Sequence, residues 1–250
     1  MMLRFFAAAL VVLSVPAGRI PDKLVVLTFD DSVKSHATYV APLLKQRGFG
    51  ATFFITEGFD FATNKTAYMT WEEIASLHRM GFEIGNHTAK HANAAKQTRD
   101  ALIADLDAIE HRCQEHGIPK PVSFAYPGNG TGGAVMDVLK EKGYRFARRG
   151  GMPEFPYKDG QGVAFDPKTH PLLSIPSAGD ARPHWTRDDF IRAVTQARDG
   201  RIAVLQFHGV PDREHPWVST VPALFEQYVG YLKDNGYTVV ALRDLAKYVD

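Results

Sequence analysis

The chain has a single cysteine, Cys113, among 250 residues. No intrachain disulfide can form, so the fold must be held by its core alone. Cys113 falls in the helical pattern TRDALIADLDAIEHRCQEHG, where packing is a simpler role than nucleophilic chemistry. Charge of one sign is also missing. The 29 basic and 28 acidic residues leave a net charge of +1, with no long like-charge run. That balance argues against nucleic acid or an anionic membrane as partner. No internal repeat and no low-complexity tract is present, which excludes a solenoid. No apolar run reaches the ~20 residues that a membrane-spanning helix needs.

What is present begins with MMLRFFAAALVVLSVPAG. Arg4 supplies a positive start, Phe5 to Val15 a short apolar run, and Val15-Pro16-Ala17 small residues at a cleavage site. This reads as a secretory signal peptide over residues 1–17, which predicts a secreted or periplasmic protein. The alternative is a buried first strand or helix. No cysteine lies near the cut to carry a lipid. The remaining residues, 18–250, are expected to form one catalytic domain, since a chain that is 45% hydrophobic can bury a single core of this size.

Short β-rich runs alternate with helical spacing along that length. KLVVLTFD (23–30), ATFFIT (51–56), FEIGNH (82–87), VSFAYP (122–127), YRFARR (144–149), LLSIPS (172–177), RIAVLQFH (201–208) and YTVV (237–240) predict strands. TWEEIASLHRMG predicts a helix over 70–81, with Thr70 and Glu73 as a capping box. TRDDFIRAVTQARDG repeats the signal with Thr186 and Asp189. Seven to eight strand–helix units fit a distorted (β/α) barrel better than an open sheet. Residues 148–171, rich in Gly, Pro and charge, predict a long loop over the barrel's open face.

Barrel chemistry sits at the C-terminal ends of strands. There the sequence places Thr28, Asp30 and Asp31, then Asn86, His87 and His91, then Tyr126, and finally Gln206 and His208. Two histidines and one aspartate suit a divalent cation with open positions for water and substrate. A second carboxylate beside such a cation can act as a base. Asp30 and Asp31 are adjacent, so a regular strand cannot aim both at one site. The chain must leave strand geometry there, with one residue as ligand and one as base. Trp217, in HGVPDREHPWVS with His215 and Pro216, is either a sugar-stacking platform or a loop anchor. Glu57, His78, His111 and His116 read as surface or packing residues.

LTFDDS, HTAKH, FAYPGNG and LQFHG occur in the order and at roughly the spacing of the motifs of NodB-type polysaccharide deacetylases, carbohydrate esterase family 4. The chain resembles that family over residues 23 to 245. The resemblance implies a distorted (β/α) barrel and a metal, usually zinc, with Co²⁺, Ni²⁺ and Mn²⁺ possible. It implies hydrolysis of acetyl groups from N-acetylated sugars or acetylated xylan, with an acetylated glycan as partner. Asp30 resembles the catalytic base, Asp31, His87 and His91 the metal triad, and His208 the acid. Tyr126, Pro127 and Leu205 are the expected substrate contacts, Leu205 as the wall that takes the acetyl methyl.

The pattern departs in three places. Ala125 stands where the family carries the arginine that orients the base; Arg148, Arg149 and Arg182 are candidates to replace it. Gly128 stands where an aromatic residue follows the proline. Asp180 and Trp185, in DARPHW, are the weak match to the pair that tunes the acid. Two other functions fit parts of the pattern: an amidohydrolase for a small cyclic amide or imide, and an inactive carbohydrate-binding relative.

Overall fold

A computed structural model describes residues 20–156 and 159–249; the expected signal peptide lies outside them. Among the described residues there are eight strands, β1 (Leu24–Phe29), β2 (Thr52–Ile55), β3 (Glu83–Asn86), β4 (Ser123–Ala125), β5 (Phe146–Arg148), β6 (Gly179–Asp180), β7 (Ala203–Phe207) and β8 (Thr238–Val240); all but β6 fall on predicted runs. Every ladder is parallel. The order is β5-β4-β3-β2-β1-β7-β6, with β8 beside β1. β2 flanks the upper end of β1, at Thr28 and Phe29, and β8 the lower end, at Leu24 to Val26. The sheet curls into a distorted barrel. Ile175 pairs with Arg148 of β5, and Gly179 pairs with Leu205 of β7, so residues 175–180 span the seam.

Among the described residues seven helices cover the sheet: α1 (Ala41–Arg47), α2 (Trp71–Arg79), α3 (Arg99–Glu115), α4 (Gly133–Glu141), α5 (Arg187–Val194), α6 (Pro222–Asp234) and α7 (Ala246–Val249). Both predicted capping boxes form. The Thr70 hydroxyl accepts from the Glu73 N–H, and the Glu73 carboxylate accepts from the Thr70 N–H. Thr186 and Asp189 do the same at α5. Each such cap contributes about 1 kcal/mol. Among the described residues no helix is long and apolar enough to cross a membrane.

Two expectations need correction. LLSIPS is not a strand: Leu172–Ser174 forms a 3₁₀ turn and Ile175 alone reaches β5. Pro171 sets the turn and Pro176 has no N–H for a ladder. Nor is the 148–171 segment a cover over the open face. Buried Arg149 donates to Ser174 Oγ and to the carbonyls of Gly150 and Met152, and pairs with Glu154. Phe165 pairs with Ile202 before the start of β7 and is fully buried. The segment packs along the seam of the barrel.

Strand alternation divides the core. Val25, Leu27 and Phe29 pack with Leu44, Ile74 and Phe225 of the helix layer. Leu24 and Val26 pack with Phe54, Phe146 and Val204 inside the barrel. The inward set of β1 continues through Thr28 to Asp30, whose N–H still bonds the Phe207 carbonyl.

One buried histidine supports the outer layer. His36 packs 5.6 Å from Phe29 and 5.4 Å from Phe53. Its Nε2 lies 3.1 Å from the His208 carbonyl, which can only accept, so Nε2 carries the proton. Burial pushes the His36 pKa down from 6.5 to about 4. The unfolded chain therefore binds a proton between those values that the folded chain refuses, and stability falls as pH drops from 6.5 toward 4. The loss attributable to this group is about 3 kcal/mol. We expect His36→Gln to flatten the dependence of unfolding free energy on pH across that window; an unchanged slope assigns the loss elsewhere.

Candidate active site

β1 ends in a kink. Asp31 has φ 73° and Ser32 φ 56°, left-handed values that cost about 1–3 kcal/mol each outside glycine. Ser32 is clamped to the end of β2: its hydroxyl donates to the Thr56 carbonyl and accepts from the Thr56 N–H, at 2.8 and 2.9 Å. The kink breaks the alternation, so adjacent Asp30 and Asp31 both face one pocket.

The histidines come from the turn after β3. The Asn86 side chain accepts from the Thr88 N–H and donates to the Leu106 carbonyl and the Tyr144 hydroxyl. Thr88 and His91 adopt left-handed φ values of 59° and 53°. His87 Nδ1 donates to the Ala125 carbonyl at 2.8 Å, which leaves the Nε2 lone pair free to ligate. The His91 turn presses against Gly58, where a Cβ would sit 2.8 Å from His91 Cβ.

Asp31 Oδ1 lies 3.4 Å from His87 Nε2 and 3.2 Å from His91 Nε2. Among the described residues it has no hydrogen-bond partner, although it is buried. One ligand atom from each of the three residues falls within 4.8 Å of the others. An orphaned carboxylate oxygen facing two aligned imidazole nitrogens fits a divalent cation. Burial would raise the Asp31 pKa, but the two imidazoles and His208 outweigh it and hold the carboxyl well below its usual range.

Asp30 faces inward beside this cluster. Arg148 Nη2 donates to both of its carboxylate oxygens, at 2.6 and 2.5 Å, and Gln206 Nε2 donates to Oδ2 at 3.3 Å. Arg148 is 0% exposed. It stands on β5 directly opposite Ala125 of β4 in the parallel register. The small alanine sits where the family's arginine would rise, and the neighbouring strand supplies the guanidinium. Of the three candidates only Arg148 does so; Arg149 holds the seam and Arg182 pairs with Asp180.

His208 ends β7. Its Nε2 is 3.8 Å from Asp31 Oδ2 and its Nδ1 is 4.0 Å from Asp180 Oδ1. Asp180 therefore lies behind His208, as the weak motif suggested. Trp185 does not reach the pocket: it is buried against Gly179.

The cavity holds about 190 Å³ and is lined by Asp30, Asp31, His87, His91, Gln206 and His208, with Tyr126, Gly128 and Asn129 on one side and Phe59, His215, Trp217 and Val218 on the other. Tyr126 is almost fully buried, its hydroxyl donating to the Leu173 carbonyl at 2.6 Å. Leu205 is a correction. It faces the helix layer with Phe207, because alternation along β7 turns Gln206 and His208 to the pocket. Pro127 is buried in a 3₁₀ turn and does not line the cavity. Phe59 and Asn129 went unnoticed in the sequence; their only signal was position, just after the carboxyl ends of β2 and β4.

The profile of the polysaccharide deacetylase family matches residues 17–147. The chain belongs to that family. It is 31% identical over 126 residues to a peptidoglycan-N-acetylglucosamine deacetylase of Bacillus cereus, a match that covers 50% of this chain and 55% of that relative. The chain thus spans about half the length of that curated relative. The fold is similar to Bacillus subtilis PdaA, a family 4 carbohydrate esterase, with a TM-score of 0.61, 22% identity, and coverage of 92% of this chain and 83% of that one. It is equally similar to a family 4 acetyl xylan esterase from Clostridium thermocellum in complex with a cobalt ion: TM-score 0.61, 22% identity, 89% and 90% coverage. Like these structures, the chain is a curled parallel barrel; the arginine that meets Asp30 stands on β5.

Removing one partner of a buried ion pair strands the other charge. Arg148→Ala is expected to lower the unfolding free energy by roughly 3–5 kcal/mol in denaturant titration. Adding Ala125→Arg returns a guanidinium from β4 and is expected to recover part of that loss. A double variant no more stable than Arg148→Ala would show that position 125 cannot reach Asp30.

Proposed function

We propose that the chain is a metal-dependent hydrolase that removes acetyl groups from an N-acetylated glycan. The observation that carries this reading is the convergence in one pocket of the Asp31–His87–His91 cluster, the Arg148-held Asp30 and His208. Asp31, His87 and His91 would hold the cation. Zn²⁺ is the first choice, and the mixed nitrogen and oxygen donors also accept Co²⁺, Ni²⁺ or Mn²⁺. A cation there supplies Lewis acidity and lowers the pKa of a water toward ~7.

The chain's own groups do the rest. Asp30 takes the proton as water adds to the acetyl carbon. Arg148 and Gln206 fix the carboxylate so that it meets the water in one orientation. His208 gives a proton to the nitrogen as the carbon–nitrogen bond breaks, releasing acetate and a free amine. Asp180 Oδ1 stands 4.0 Å behind His208 Nδ1, where its negative charge favours the protonated ring. Tyr126 forms one wall for the acetylated sugar. The name of the Bacillus cereus relative supports an amino-sugar polymer, and the xylan esterase neighbour keeps O-acetyl esters within reach of the same fold. The catalytic unit is proposed to span residues 18–250, exported by residues 1–17 to the periplasm or the exterior.

Purified protein with Zn²⁺ or Co²⁺ is expected to release acetate from acetylated chitooligosaccharides, and a cyclic imide serves as the contrasting substrate. Asp30→Asn should lower the rate by about 10²–10⁴-fold, the usual contribution of a positioned base. Acetate release that survives that substitution would overturn the assignment of the base. His87→Ala should abolish bound metal measured by elemental analysis; retained metal would show that the cluster is not the site.

A further inference from the structure

One buried acceptor in the pocket takes no part in holding the base. Gln206 is 3% exposed, and its Nε2 donates to Asp30 Oδ2 at 3.3 Å. Its Oε1 is buried and, among the described residues, meets no donor. The two ends of this amide cannot be exchanged. A carboxylate only accepts, so the NH₂ end must face Asp30 and the oxygen must face elsewhere. An unpaired buried amide oxygen is costly, and few native structures leave one without a reason.

The neighbours of Gln206 have their donors engaged. Thr28 stands opposite it on β1, but the Thr28 hydroxyl donates to the Leu205 carbonyl. Asp180 stands opposite it on β6 and carries a carboxylate, paired with Arg182. The Tyr126 hydroxyl donates to the Leu173 carbonyl. Arg148 turns Nη2 to Asp30 and lays its guanidinium over the Phe54 ring.

Position along β7 decides what can reach that oxygen. Gln206 and His208 share one face of the strand, two residues apart. Both line the cavity of about 190 Å³. His208 follows the end of β7, so Gln206 lies roughly 6–7 Å deeper in the barrel. In the proposed reaction the acyl carbon becomes tetrahedral. Its oxygen faces the Asp31–His87–His91 cluster, its nitrogen faces His208, and the entering water lies beside Asp30. The fourth position, the acyl substituent, is left to point down the barrel toward Gln206. The sugar stays on the open side. A methyl group in that fourth position leaves Oε1 unpaired. A hydroxymethyl group, as in a glycolyl amide, adds one oxygen atom and one O–H donor.

We infer that Gln206 is a specificity-determining residue that selects the acyl group, and that the preferred substrate is an N-glycolyl sugar rather than its N-acetyl counterpart. This rests on the proposed hydrolase reading and narrows it; an acetyl amide is the slower substrate of the same site. Gln206 Oε1 accepts from the hydroxyl on the α-carbon while Nε2 keeps its bond to Asp30. Water adds to the acyl carbon, the carbon–nitrogen bond breaks, and the nitrogen takes a proton from His208. Glycolate and a free amine leave.

Di-N-acetylchitobiose and its N-glycolyl counterpart differ only in the acyl group, so their ratio isolates this contact. With Zn²⁺, kcat/KM is expected to be about tenfold higher for the glycolyl sugar, the factor that one hydrogen bond to a buried acceptor supplies. Gln206→Leu removes the acceptor at similar size. It also loosens Asp30 and lowers both rates, but that loss cancels in the ratio, which should fall to unity or reverse. Gln206→Met should do the same, and it serves if the leucine variant folds poorly. Equal rates, a preference for acetyl in the unsubstituted protein, or a glycolyl preference that survives substitution of Gln206 overturns the contact. Calorimetric binding of the same two sugars adds a readout apart from turnover. No acid released from either sugar overturns the hydrolase reading; tighter glycolyl binding that disappears in Gln206→Leu then leaves the contact standing, and equal binding overturns both. Acetate released as fast as glycolate keeps the hydrolase reading and overturns the role of Gln206.

Discussion

A guanidinium and a carboxylate with almost no access to water face each other at the top of the barrel. Removing two charges from water is costly, and their attraction offsets that cost only when the geometry is good. Both Asp30 oxygens meet Arg148, and Gln206 adds a third donor. Several other features become necessary once that pair is in place. Ala125 must be small, because it stands beside Arg148 in the register. The Phe54 ring lies 5.5 Å from the guanidinium, inside the barrel, where an aromatic face accommodates a cation. The seam segment must reach β5 through Ile175, for otherwise the strand that carries Arg148 would be an open edge.

The second constraint is the kink at Asp31 and Ser32. A straight continuation of β1 would send Asp31 toward the helices, beside Phe29 and Phe207. Two left-handed residues reverse that, and the Ser32–Thr56 clamp makes the reversal persist. The same device recurs at Thr88 and His91. Strained backbone is therefore concentrated where Asp31, His87 and His91 converge, and the regular ladders on either side hold it in place.

Much of this was legible in the sequence. Thr70 and Thr186 announced their helices because capping is local chemistry, complete within four residues. The strand–helix alternation gave the barrel, and barrel logic then placed Asp30, Asp31, His87, His91 and His208 at one end. The failures share a cause. Leu205 was assigned to the pocket by motif spacing, whereas the period of two along β7 already put Gln206 and His208 on the opposite side from it. LLSIPS looked like a strand by composition, yet Pro171 and Pro176 bracket it. Arg148 could not be chosen over Arg149 and Arg182, because the choice depends on which residue of β5 lies beside Ala125. That register joins residues 23 apart, and no local signal encodes it.

The arginine's position has a bearing on how such proteins are found. A motif written along the chain asks for an arginine two places before Pro127 and meets Ala125, although the family profile matches this chain. The mouth of the barrel is a ring of neighbours instead, in which position 148 stands beside position 125 although 23 residues separate them. Described by ring position rather than by order along the chain, 125 and 148 are neighbouring berths, and a guanidinium stands in one of them.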